Sequence, residues 1–128
     1  MKMLLDTHVI LWAVFETHRL SGRARDLILD PANVLFFSAV SAWEIATKAG
    51  TGRLTLHVPV SEFLDAQRQH LKLTDLSLTP AQAAGIAQLP DHHRDPGDRL
   101  LIAQALAEGI PILTADRQIR RYPVEVLW

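Results

Sequence analysis

Cysteine is absent from the 128 residues, which excludes a disulfide framework and any thiolate metal site and suits a reducing cytoplasm. The sequence also has no long apolar run, internal repeat, low-complexity tract or charged linker. Its longest apolar stretches fall well short of the about 20 residues that cross a bilayer, so no membrane association is expected. Lys2 precedes a short apolar stretch, but Asp6 interrupts it and no small-residue cleavage site follows, so a signal peptide is not expected. An excess of either charge is lacking as well. Thirteen Lys and Arg stand against 14 Asp and Glu, a formal net charge of −1, which gives no global attraction to nucleic acid. The arginines are nevertheless clustered, with Arg19, Arg23 and Arg25 early and Arg94, Arg99, Arg117, Arg120 and Arg121 late. A near-neutral total can therefore conceal a basic rim around an acidic pocket. Length and an apolar fraction of 48% predict one domain over residues 1–128 with a real core.

What is present alternates. Short apolar runs at Met3–Leu5, Val34–Ser38, Leu73–Asp75, Pro111–Leu113 and Val124–Leu127 read as strands. Helical patterns lie between them. Thr7–Phe15 comes first, and Ser21 is placed to cap Arg23–Leu29. Ser38 or Ser41 opens a helix to Ala49, Ser61 caps Glu62–His70, and Thr79-Pro80 starts a helix to about Ala87. Pro96-Gly97 precedes Asp98–Glu108, which Gly109 closes. Strands alternating with helices predict an α/β domain with a mainly parallel central sheet, in which ligands bind beyond the carboxyl ends of the strands.

The acids fall at that edge. Asp6 follows the first strand, and Asp116 follows "PILTAD". Glu44 lies one turn into the helix after Val34–Ser38, and Asp95 and Asp98 occupy the loop and first turn of the long late helix. Each has an ordinary explanation. Asp6 could cap a helix, Glu44 could pair with Lys48 at i,i+4, Asp98 could complement a helix dipole, and Asp95 and Asp116 could be turn or cap residues. Their coincidence at one edge argues for a site. Carboxylates converging in one cleft repel unless cations are present. All-oxygen ligation favours Mg2+ or Mn2+ over zinc. The chemistry implied is metal-dependent phosphoryl transfer to water. The histidines are set aside as ligands: adjacent His92 and His93 should diverge, and His8 should point away from Asp6.

The segments "LLDTHVILW", "SAVSAWEIATKAGTGRL", "HHRDPGDRLLIAQALAEGIPILTAD" and "IRRYPVEVLW" resemble, in order and spacing, the PIN-domain ribonucleases, and among them the VapC-type toxins of toxin–antitoxin pairs. The resemblance runs nearly end to end. It implies a three-layer α/β/α fold and places the family's metal-binding catalytic acids on Asp6, Glu44, Asp98 and Asp116. Thr114 then supplies the Thr-x-Asp pattern. Asp95 is a supporting neighbour that binds a metal-bound water or holds the loop, although Asp95 and Asp98 both lie in the matching segment. Gly97 departs from the family, which often has an aromatic residue there; this should loosen the loop without touching the ligands. The resemblance further implies an RNA substrate, Mg2+ or Mn2+ as cofactor, a homodimer, and a VapB-type antitoxin whose tail covers the cleft.

Other functions fit less well. A phosphate-accepting signalling domain needs paired acids after its first strand and a late lysine, whereas Thr7-His8 follow Asp6. An aspartyl-nucleophile phosphatase needs an Asp where His8 stands. A non-catalytic PIN-like module that binds RNA or protein remains the alternative, although such modules commonly lose an acid. Lys48 and Arg99, each beside a presumed ligand, are expected to meet substrate phosphate. Trp12 and Trp43 sit in apolar helix patterns and are expected in the core.

Overall fold

Met3, Leu4 and Leu5 have no exposed surface, as a strand covered on both faces requires. The computed structural model describes residues Met1–Trp128. Its strands are β1 (Lys2–Leu5), β2 (Val34–Ser38), β3 (Leu73–Leu76), β4 (Ile112–Leu113) and β5 (Val126–Leu127). The helices are α1 (Thr7–Phe15), α2 (Gly22–Leu29), α3 (Ala39–Gly50), α4 (Val60–His70), α5 (Pro80–Ala84) and α6 (Pro96–Glu108). The strands form one sheet in the order β3-β2-β1-β4-β5, and every pairing is parallel.

Successive residues of β1 feed opposite layers, as the strand period of two dictates. Met3 and Leu5 join a core with Val9 and Ile10 of α1, Ala24 of α2, Ile45 of α3 and Phe63 of α4. Leu4 joins a second core with Leu101, Ile102 and Ala105 of α6, together with Ile119 and Tyr122. Helices therefore cover both faces, and the expected three-layer arrangement is found. The strand order reverses at β1: its neighbours are β2 on one side and β4 on the other, which opens a crevice at the carboxyl edge.

Local chemistry explains most boundaries. The side chains of Ser21, Ser38 and Thr79 accept from Ala24 N, Val40 N and Gln82 N at their helix starts, and Gln82 completes a capping box. Gly109 ends α6 with a left-handed φ of 66°, which a side chain would oppose. Three expectations need correction. Ser61 does not cap α4, which begins at Val60 behind Pro59 without a side-chain cap. The helix after Thr79 tightens into a 3₁₀ turn at Gly85–Gln88. The last strand is confined to Val126–Leu127, because Ile119–Arg121 form a 3₁₀ turn and Pro123 follows.

Buried Gln104 of α6 ties the carboxyl edge together. Its Oε1 accepts from Ser38 Oγ at the end of β2, and its Nε2 donates to Ser77 O at 3.0 Å, just after β3. No helix is long and apolar enough to cross a membrane.

Candidate metal centre

Asp6 occupies the cap position of α1 but does not cap it. Its Oδ2 instead accepts from Thr114 Oγ1 at 2.7 Å, across the β1–β4 crevice, and its Oδ1 is buried with no partner. The same threonine oxygen accepts from Asp116 N at 3.0 Å, so one hydroxyl sets two of the acids. Glu44, one turn and a half into α3, is buried as well, and its Oε1 also lacks a partner. Below it, Thr7 Oγ1 donates to Ser41 Oγ at 2.8 Å, fastening the first turns of α1 and α3 to each other.

Burial and hydrogen bonding distinguish Asp98 from Asp95. Asp98 is 6% exposed, whereas Asp95 is exposed. Asp95 is the N-cap of α6, its Oδ1 accepting from Asp98 N at 3.1 Å. Asp95 thus holds the turn that points Asp98 inward. Asp116 is partly open, its Oδ1 accepting from Gln118 N at 2.9 Å.

His93 enters the cluster against expectation. Its Nε2 lies 2.9 Å from Asp98 Oδ2 and 2.9 Å from Asp116 Oδ2, and its Nδ1 accepts from Asp95 N at 3.1 Å. An accepting Nδ1 is unprotonated, so the ring proton is on Nε2, where it is shared between the two carboxylates. His93, Asp98 and Asp116 offer three ligand atoms within 4.8 Å of one another. In this tautomer, however, His93 donates rather than ligates.

The buried acids hold their protons tightly. Burial raises Asp6, with the Thr114 hydrogen bond acting in the opposite sense. Burial, then the charges of Asp6 and Asp95, push Glu44 up to about 7 from an ordinary 4.5. Burial, then Asp6, Asp95, Glu44 and Asp116, push Asp98 up to about 8 from 3.8. A cation fits this donor set. Two buried carboxylate oxygens have no hydrogen-bond partner, and the neighbouring oxygens are carboxylates that repel one another without a positive charge among them.

Several sequence-based expectations are corrected here. Arg99 does not face a substrate phosphate. Its guanidinium donates to Ile86 O at 3.0 Å, Pro90 O at 2.9 Å and Tyr122 Oη at 3.3 Å, tying the segment before α6 to the turn after β4. Tyr122 Oη also accepts from His92 N and His93 N, at 3.1 and 2.7 Å, and so suspends the segment that carries His93. Gly97 does touch a ligand candidate: a Cβ there would sit 2.8 Å from Glu44 Cδ. His8 does not point away but lines a cleft of about 380 Å3 with Asp6, Trp12, Arg19, Ala115 and Asp116. Trp43 is 54% exposed and Trp12 half-buried, so neither is a core residue. Lys48 stays beside Glu44. It shares a second, smaller cleft with Trp43, Glu44, Arg53, Asp95 and Gly97.

The fold agrees with what known proteins show. The profile of the PIN domain matches residues 3–125. Over 121 residues the chain is 36% identical to Ribonuclease VapC22 of Mycobacterium tuberculosis, covering 94% of this chain and 91% of that one. Among solved structures, VapBC2 of Rickettsia felis bound to a DNA fragment from its promoter superposes with a TM-score of 0.75 at 16% identity. That match covers 99% of this chain and 98% of the other. FitAcB of Neisseria gonorrhoeae does so with a TM-score of 0.66 at 21% identity, over 100% and 97%. The chain belongs to the PIN-domain family, as one of its VapC-type members.

Proposed function

We propose that residues 1–128 form one PIN domain that hydrolyses RNA phosphodiester bonds with Mg2+ or Mn2+, as the toxin of a toxin–antitoxin pair. The observation that carries the reading is the pair of partnerless buried oxygens, Asp6 Oδ1 and Glu44 Oε1, beside buried Asp98. A binding module has no use for such an arrangement, which raises the free energy of the empty site. Asp6, Glu44 and Asp98 would hold the cation, with Asp116 at the open side. All of these donors are oxygens, the preference of Mg2+ and Mn2+. When bound, the ion supplies Lewis acidity and a water acidic enough to attack near neutral pH.

The chain's own residues prepare that chemistry. Thr114 fixes the orientation of Asp6, Asp95 fixes the first turn of α6, and the Thr7–Ser41 bond keeps α1 and α3 in register beneath Glu44. Lys48 and Arg53, lining the cleft beside Glu44, supply positive charge where the phosphate backbone passes. The 36% identical ribonuclease and the toxin–antitoxin complexes among the structural neighbours support a VapB-type antitoxin as partner. A homodimer working in the cytoplasm belongs to the same proposal.

Water as the nucleophile leaves the ribose 2′-hydroxyl out of the reaction. Purified protein is expected to cut RNA only with Mg2+ or Mn2+ and to leave 5′-phosphate and 3′-hydroxyl ends. Undiminished cleavage in excess EDTA, or 2′,3′-cyclic phosphate products, would overturn the mechanism. Overexpression is expected to arrest growth, relieved by a small DNA-binding protein encoded next to this gene. Harmless overexpression with no such neighbour removes the toxin role and leaves the nuclease chemistry standing.

A further inference from the structure

The larger cleft at the carboxylates has features that metal binding does not use. Asp6 and Asp116 form one wall, and His8, Trp12, Arg19 and Ala115 form the rest. Its volume of about 380 Å3 is within the range of small-ligand sites. On α1, Val9 and Ile10 are buried in the core, while His8 and Trp12, one turn apart, both line the cleft. The indole is held from several directions. Trp128 meets it edge-on at 6.0 Å, His8 lies tilted at 6.1 Å, and the Arg19 guanidinium carbon sits 4.3 Å from the ring centroid. Arg19 has one ion-pair partner, Glu16 at 3.3 Å, with both side chains about half exposed. An exposed pair of that kind does little to hold its guanidinium. Trp12 is thus a half-open aromatic surface with a cation laid over it, next to the acids.

We propose that this cleft is the subsite for an unpaired nucleotide adjoining the scissile phosphate, its base stacked on the Trp12–Arg19 pair and its backbone phosphate met by Arg19 and His8. The inference rests on the nuclease reading above. A base reaches an aromatic face only when it is out of its own helical stack, so the subsite selects single-stranded or looped RNA. Every base has a π-face, and guanidinium planes stack on bases as aromatic rings do, so the contact tolerates any sequence. The electrostatics require a cation here as well. A polyanion approaching Asp6 and Asp116 is repelled, and among the residues lining this cleft Arg19 carries the fixed positive charge.

The test compares wild type with Trp12→Ala, Trp12→Phe and Arg19→Ala, after circular dichroism confirms folding. Each is measured on an unstructured labelled oligoribonucleotide and on the same strand held in a duplex. Binding is read by fluorescence anisotropy in EDTA, and KM and kcat are read with Mn2+. Trp12→Ala is expected to weaken binding and raise KM about tenfold on the single strand with kcat little changed, and Trp12→Phe to regain most of the loss. Arg19→Ala should lower the salt dependence of binding by about one counterion. The duplex should bind weakly throughout. Unchanged binding and KM in Trp12→Ala would overturn the subsite while leaving the nuclease reading intact. Should Trp12→Ala fail to fold, unchanged values in Trp12→Phe and Arg19→Ala together would overturn it equally. A wild type that cuts no RNA, yet loses oligonucleotide binding on Trp12→Ala, would remove the nuclease reading and keep the subsite. Loss of antitoxin affinity with RNA binding unaltered would reassign the cleft to the protein partner and overturn the proposal.

Discussion

The two halves of the acid cluster are built on opposite plans. On one side, Asp6 Oδ1 and Glu44 Oε1 are buried and have no hydrogen-bond partner. On the other, Asp98 Oδ2 and Asp116 Oδ2 share the Nε2 proton of His93, at 2.9 Å each. The first half leaves two oxygens open to a cation or a proton. The second already contains a donor that draws its carboxylates together. A count of acids would treat the four as equivalent, whereas their hydrogen bonds divide them into a pair with unpartnered oxygens and a pair already bridged.

Removing charge from the first half gives the largest effect. Asp6→Asn and Glu44→Gln, and Asp98→Asn at the junction of the halves, are expected to abolish cleavage at ordinary Mg2+ and metal binding by calorimetry. Asp95→Asn keeps the α6 cap oxygen but removes a charge beside Glu44 and Asp98, and should cost about 10–100-fold, recovering partly with more metal. The reverse ranking of Asp95 and Asp98 would move the ligand by one helical turn.

A second comparison needs no change of charge. Gly97→Ala places a methyl against Glu44 Cδ, where 2.8 Å is available, so Glu44 must shift. A displacement of about 1 Å in a positioning group can cost about a hundredfold in rate. We expect that scale of loss, with weakened Mn2+ binding and an unchanged circular dichroism spectrum. Normal turnover would mean that Glu44 has freedom to move without consequence.

The smallest effect is the dependence of stability on pH in the metal-free protein. Folding raises Asp98 from 3.8 to about 8 and Glu44 from 4.5 to about 7. The folded state therefore binds more protons than the unfolded chain across that interval. The contribution is full below the unfolded values and is lost as pH rises through the folded ones. Thermal midpoints measured in EDTA should fall from about pH 5 to pH 8 on this account. Saturating Mn2+ should flatten the slope, because a cation stabilises the charged carboxylates. A metal-free midpoint that rises over the same range would contradict the burial of these acids.

Much of the molecule is legible in the sequence. β2 and α1 fall where periodicity places them, and Ser21, Ser38 and Thr79 cap as their positions suggest. The meeting of Asp6, Glu44, Asp98 and Asp116 follows from strand ends sharing one sheet edge. His93 is hidden because divergence of adjacent histidines does not say which ring, if either, meets the acids. Residues 91–95 form no helix or strand, so one ring of the pair turns inward and the other packs on Tyr122. The signal available is its place five residues before Asp98, in the loop that delivers it. Arg99 escapes sequence reasoning because its partners are two backbone carbonyls and a phenol from distant turns, which no spacing rule encodes. Trp43 escapes it because apolar spacing on α3 does not show which side of the helix the sheet covers.

The hydrogen bond from Thr114 to Asp6 joins residues 108 positions apart. The strands that flank it are β1 and β4, and β4, β5 and the Tyr122 hydroxyl that suspends His93 all follow α6 in the chain. A nascent chain that has made Asp6 and Glu44 still lacks the threonine, the fourth acid and the support of the α6 loop. The site of the enzyme proposed here is thus a product of tertiary closure, complete only once the segment carrying Thr114 and Asp116 has folded back beside β1.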